Sequence, residues 1–244
     1  MRRFFAPPEN FIDRNITLGL QETRHLRDVL RLHEGDEASV FDGFGREYLC
    51  TIETISKKET SLSIVKEIPP ISPESPLALT IAAAILPGEK FEITVQKAVE
   101  LGVRSLQPLY TIRCEIKPGG GRSKIERWKK IALESAKQSG RATLMKIAEP
   151  LRLSDFLLRP SVPRSKDESL IFFSERDGAG FPEIKAGKKI TAVFGPKGGW
   201  DDLELDSAKR AGFVVITFGG RIMRAETAAI ALSAILQHRF GDLS

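Results

Sequence analysis

Cysteine, histidine and long apolar runs are what this chain has least of, and each shortage removes a class of protein. Its 244 residues include two cysteines and three histidines. Cys50 and Cys114 lie far apart and form no CxxC pair, which fits a reducing compartment and argues against a disulfide framework or a zinc site. His25, His33 and His238 show neither HExxH spacing nor a cysteine partner, so no metal site is expected. No apolar run approaches the roughly 20 residues that cross a bilayer. The opening Met1-Arg2-Arg3-Phe4-Phe5-Ala6-Pro7-Pro8 has basic residues but no apolar stretch behind them, so no secretory signal is read and a cytoplasmic protein is expected. Nucleotide and hydrolase signatures are missing too. GxxxxGK[ST] and GxSxG do not occur, and Gly43-Phe44-Gly45 lacks the third glycine of GxGxxG and precedes a strand-like run rather than a helix. A dinucleotide-dependent oxidoreductase is thereby disfavoured.

What is present is a basic, two-part chain. The formal net charge of +5 favours a polyanionic partner, nucleic acid first among them. Residues 68–76 hold four prolines in nine positions and read as an extended linker. They divide the chain into a domain at 1–70 and another at 77–244. In the first, Tyr48, Cys50 and Ile52 alternate with polar neighbours, as do Leu62 and Ile64, which predicts short antiparallel strands around a small core. One helix is expected over 23–32. At ~100° per residue its Arg24, Arg27 and Arg31 share a stripe, with Leu26, Val29 and Leu30 opposite. The stripe reads either as a solvated face or as a row of guanidinium groups for phosphates, joined by Arg2 and Arg3.

The second part alternates apolar runs with helical patterns, as in a parallel sheet covered on both faces. Ser123-Lys124-Ile125-Glu126 fits a capping box at a helix start, and residues 160–166 form a short proline- and serine-rich stretch. Two glycine-punctuated loops follow strand-like runs, at Phe194-Gly195-Pro196-Lys197-Gly198-Gly199 and at Phe218-Gly219-Gly220-Arg221-Ile222-Met223-Arg224. Open α/β sheets bind ligands outside the carboxyl ends of their strands. Ile222 and Met223 would suit a slot for a flat heterocycle, Arg224 an anion, Thr227 a hydrogen bond, and Glu226 the orientation of the arginine. A tight, charge-capped turn at a helix start explains the same block, and composition leaves both open.

Several stretches together carry a family likeness. Gly88-Glu89-Lys90, Gln96-Lys97 with Glu100-Leu101-Gly102-Val103, Pro108-Leu109, Arg113-Cys114, Gln138-Ser139-Gly140-Arg141, Gly195-Pro196-Lys197-Gly198-Gly199, Arg221 to Ala228 and Arg239-Phe240-Gly241-Asp242 occur in an order that resembles the RsmE family. These are the 16S ribosomal RNA uridine-N3 methyltransferases of the SPOUT superfamily. The resemblance implies an α/β fold: a PUA-like N-terminal β-barrel for RNA binding and a C-terminal trefoil-knot methyltransferase domain. It implies a homodimer using S-adenosyl-L-methionine on 16S rRNA in the 30S subunit, at a uridine of the decoding region. Carried onto this chain, the cofactor would lie among Phe173, Ser174, Phe194, Gly195, Gly198, Gly199, Phe218, Gly219, Ile222, Met223, Arg224, Thr227 and Ala228. Arg224, Glu226 and Thr227 would be catalytic, and Arg141 would join the RNA-binding arginines. Ribose 2′-O-methylation of RNA and a non-catalytic ribosome-assembly role are the alternatives. Lys197 departs from the family's usual glutamate, and Asp201 or Asp202 is the expected partner for its charge.

Overall fold

The computed structural model describes residues 2–119, 121–158, 167–180 and 188–243; the stretch 160–166 lies outside them. The chain forms two compact units, Met1–Glu74 with Ala136–Leu144, and Ser75–Ser135 with Met145–Ser244.

In the first unit the strands are β1 (Arg3–Phe5), β2 (Phe11–Ile12), β3 (Asn15–Leu18), β4 (Glu37–Phe41), β5 (Glu47–Ile55) and β6 (Thr60–Ile68). They join in the order β1-β4-β5-β6-β3-β2, all antiparallel except β1 with β4. The expected alternation buries Cys50, Ile52 and Leu62 with Phe4, Ile16, Leu18 and Val40, and Tyr48 and Ile64 pack half-buried against them. Burial pushes the Cys50 thiol up to about 12. Ellman's reagent at pH 8 is therefore expected to label half-buried Cys114 in the native protein and Cys50 only after unfolding. Equal labelling of both would contradict this core.

The helix expected at 23–32 is different in kind. α1 (Leu20–Arg24) passes into a π-helical turn over His25–Val29, closed by Leu30 N donating to His25 O at 3.0 Å. The wider turn rotates the following residues. Leu26 is buried, but Val29, expected inside, is 67% exposed. Arg31 lies beyond the turn at φ +53° and off any helical stripe. The proline-rich segment, expected as an extended linker, is pinned through Ser72 and Glu74 within the first unit. Ser72 N donates to Gly140 O at 3.1 Å, Ser72 Oγ to Ser139 O at 2.7 Å, and Glu74 pairs with Arg141 at 2.7 Å.

The second unit holds β7 (Ala78–Ala84), α2 (Lys90–Glu100), β8 (Ser105–Tyr110), most of α3 (Gly121–Ser139), β9 (Lys146–Ile147), β10 (Leu151–Arg152), α4 (Leu153–Leu158), β11 (Glu168–Phe173), β12 (Lys189–Phe194), α5 (Asp202–Arg210), β13 (Val214–Ile216) and α6 (Ala225–Phe240). The sheet is parallel throughout, ordered β10-β8-β7-β12-β11-β13 with β9 on β8. α2 packs on α6, which contacts β7 and β12. Another layer, from α4 and α5, closes over Ala82, Phe172, Val193, Trp200, Phe213 and Val215. Since α3 begins at Gly121, Ser123 sits inside its first turn and the expected box is not its cap. The box that does form is at α5. There Asp201 Oδ1 accepts from Leu203 N at 3.1 Å, and Glu204 Oε2 accepts from Asp201 N at 3.2 Å.

Candidate active site

The central strands end side by side. Phe172 stands opposite Val193, and Phe173 opposite Ile216. The loops that follow are therefore neighbours at the carboxyl edge of the sheet, where parallel sheets bind ligands. β13 stops at Ile216, two residues before Phe218, where the glycine-punctuated loop begins in the sequence. Ile216 O accepts from Ser174 N, Thr217 N turns to Ala179 O, and the chain leaves the sheet.

Together these loops and the start of α6 enclose a cleft of about 760 Å³. Two glycines shape it by admitting close neighbours. A Cβ on Gly195 would meet the Trp200 indole at 2.9 Å, and one on Gly199, at φ +71°, would meet Glu175 Oε1 at 2.5 Å. Trp200 is fully buried and donates Nε1 to Phe173 O at 2.7 Å, which ties the second loop to the first. Phe173 and Phe194 stack at 5.2 Å between centroids. Against them Ile222 is 90% exposed, an apolar side chain on the cleft with nothing covering it.

Every residue expected around the cofactor lines this cleft except Thr227. Ala225, Ala228 and Leu232 share one face of α6 and turn it to the cleft; Thr227 lies off that stripe and is exposed. Arg224 occupies the N-cap of α6 in extended conformation, exposed, and among the described residues its guanidinium has no ion-pair or hydrogen-bond partner. Glu226 does not orient it: its carboxylate lies 3.7 Å from Lys90 Nζ. Nor does Lys197 pair with Asp201 or Asp202. Its ammonium reaches Glu115 at 3.3 Å, while Asp201 caps α5 and meets Arg113 at 3.4 Å. Asp202 meets Arg176 at 2.7 Å, a hydrogen bond that holds its carboxyl below the usual range. Arg176 Nη2 also donates to Trp200 O at 2.7 Å, bracing the loops. Lys90, Glu175, Thr217 and Arg221 line the cleft without having been singled out. Lys90 stood inside the Gly88-Glu89-Lys90 stretch of the family likeness, and Glu175 directly follows Phe173-Ser174.

The arginines of the first unit divide in two. Arg3 and Arg141 are corrected from surface cations to buried struts. Arg3 is paired to Glu47 by bonds of 2.8 and 3.0 Å, and Arg141 to Glu74 at 2.7 Å. Arg2, Arg24 and Arg31 are exposed. Arg27 is half-occupied by Asp28 at 2.6 Å, which raises its already high pKa further.

Residues 73–237 match a family model described as an RNA methyltransferase domain, and residues 19–65 match an RNA methyltransferase PUA domain. The ribosomal RNA small subunit methyltransferase E of a Synechocystis species is 33% identical over 96% of this chain and 76% of its own length. That of Mesomycoplasma hyopneumoniae is 34% identical over 95% and 97%. Among solved structures, the ribosomal RNA small subunit methyltransferase E of Neisseria gonorrhoeae, bound to S-adenosyl methionine, superposes with a TM-score of 0.89 at 30% identity over the whole of both chains. A Legionella pneumophila methyltransferase in complex with the same cofactor gives 0.88 at 28% identity over 99% of each.

Proposed function

Because the chain belongs to the ribosomal RNA small subunit methyltransferase E family, we propose that it transfers a methyl group from S-adenosylmethionine to N3 of one uridine in the decoding region of 16S rRNA. We read it as a cytoplasmic homodimer acting on the 30S subunit, an assignment that rests on the family likeness. The observation that carries the chemistry is the cleft at the ends of β11, β12 and β13, with unpaired Arg224 on its wall.

The residues present fit the cofactor. A cleft of about 760 Å³ with exposed apolar Ile222 and glycine-rich backbone suits a flat purine whose edge is read by main-chain groups. Phe194, Gly195, Phe218, Gly219, Ile222 and Met223 would hold it, with Glu175 as a nearby carboxylate for its positive charge. When bound, S-adenosylmethionine supplies an electrophilic methyl group on a sulfonium. The chain's task is to make uridine N3 nucleophilic. Losing the N3 proton spreads negative charge over O2, N3 and O4. Arg224 stabilises that charge as it develops, which is differential binding of the transition state. No histidine is among the residues lining the cleft, and the proton is assigned to solvent. Glu226 acts with Lys90 as a fixed pair at the start of α6.

The test is transfer of labelled methyl to 30S subunits that lack the modification, with the product mapped by mass spectrometry. Methyl on uridine N3 supports the reading. Methyl on a ribose 2′-oxygen would replace it, and binding to 30S without transfer would leave an assembly factor.

The exposed arginines of the first unit give a second measurable expectation. Replacing Arg24, Arg27 and Arg31 together by alanine should weaken 30S binding and lower the slope of log affinity against log salt by about 1.4–1.8, at roughly 0.7–0.9 for each phosphate left without its cation. Two phosphates rather than three enter this figure because Asp28 already holds Arg27. An unchanged slope between 50 and 200 mM salt (about that range suffices) would return the three residues to an ordinary solvated face.

A further inference from the structure

The first unit buries Phe4 and Phe41 and half-buries Phe5 and Phe11, but leaves Phe44 75% exposed. Phe44 sits at the tip of the β4–β5 turn, and that turn is firmly held. Asp42 Oδ1 accepts from Phe44 N at 2.7 Å and from Arg46 N at 3.1 Å, and Asp42 N donates to Arg46 O at 3.1 Å. Gly43 O accepts from Leu144 N at 2.9 Å, and Gly45 N donates to Ala142 O at 3.2 Å. Gly43 and Gly45 adopt φ of +80° and +106°, and a Cβ on Gly43 would press on Phe5 at 3.0 Å. The ring is thus displayed on a hydrogen-bonded turn, and among the described residues it stacks on no other ring. Two residues along the same turn, Arg46 is exposed.

We propose that Phe44 is a stacking platform for an unpaired base of the RNA substrate, with Arg46 meeting the adjoining phosphate. An exposed aromatic ring on a turn that also carries an exposed arginine offers the pair of features by which proteins grip single-stranded RNA. A turn held in this way suits it, because no loop has to be ordered on binding. This inference rests on the rRNA reading above and adds to it: the substrate must present a splayed base besides the reacting uridine.

The experiment compares Phe44→Ala, Phe44→Leu and Phe44→Tyr in binding to 30S subunits and in methyl-transfer kinetics, with melting temperature and sedimentation measured on each. The expected result is a weakening of binding, and a rise in KM, of about tenfold for both Ala and Leu with kcat nearly unchanged, near-complete retention by Tyr, and no change in melting. Wild-type affinity in Phe44→Ala would overturn the proposal, as would Leu performing like Phe, since that would indicate a merely apolar contact. Conversion of a dimer to monomers by Phe44→Ala would also overturn it and assign the ring to a second copy of the chain. If the unaltered protein neither binds nor methylates 30S, the rRNA reading itself fails, which the variants alone would not report.

Discussion

Replacing Arg224 by alanine is expected to slow methyl transfer to 30S subunits by about 10²–10³-fold, the cost of removing a preorganised group aimed at developing negative charge. The position supports so large an effect. Arg224 sits at the N-cap of α6, where extended backbone sends its side chain away from the helix, and it lines the cleft. Among the described residues no carboxylate engages it, so its full charge is available to a substrate. Glu226, the one neighbour in sequence that could have neutralised it, is taken by Lys90 at 3.7 Å. Affinity for S-adenosylmethionine, measured by calorimetry, should change little, because the apolar and glycine-rich part of the cleft is untouched. Arg224→Lys should recover only part of the rate, since a point charge cannot span two oxygens as a planar guanidinium does. Single-turnover rates near wild type for Arg224→Ala would remove Arg224 from the chemistry. A parallel loss of cofactor affinity would instead make it a binding residue.

The same region shows what can be read from a sequence and what cannot. Short apolar runs bounded by glycine located β12, because that signal is local. The cleft was legible for a related reason: in a parallel sheet every strand ends at the same edge, so the loops after β11, β12 and β13 must meet. Partners of charged groups were not legible. Glu115 and Glu204 stand far from Lys197 and Ile112 in sequence, yet Glu115 meets the Lys197 ammonium and Glu204 accepts from Ile112 N at 2.8 Å. The expected partners of Lys197, Asp201 and Asp202, are nearer in sequence but already committed, to the α5 cap and to Arg176. The π-helical turn at His25–Val29 escaped because the stripe argument presupposes 3.6 residues per turn. One inserted residue moved Val29 outward and took Arg31 out of line.

Arg3 is the sharpest of these differences, and it carries the largest expected effect on stability. Read from sequence, Arg3 is a basic residue near the chain start, next to Arg2, fit for phosphate. In the structure it is an internal strut. Its Nε and Nη2 hold both oxygens of Glu47 at 2.8 and 3.0 Å, with both side chains about 1% exposed. Nη1 donates to Ala136 O at 3.0 Å and Nη2 to Arg141 O at 2.8 Å, so one guanidinium ties residues 136–141 to β1 and β5. The Phe41 ring lies 4.2 Å from its Cζ. Arg3→Ala strands the Glu47 carboxylate and orphans those carbonyls, and breaking a buried pair from one side costs about 3–5 kcal/mol. For a unit of this size the melting temperature should fall by more than about 10 °C. Arg3→Met combined with Glu47→Leu should be less damaging than Arg3→Ala alone, because no uncompensated charge stays buried. Where the single variant is still folded, in the cold, the salt dependence of its 30S binding should match wild type, since Arg3 reaches no phosphate. A flattened salt slope with unchanged melting would reverse the assignment and put Arg3 back among the RNA-facing arginines.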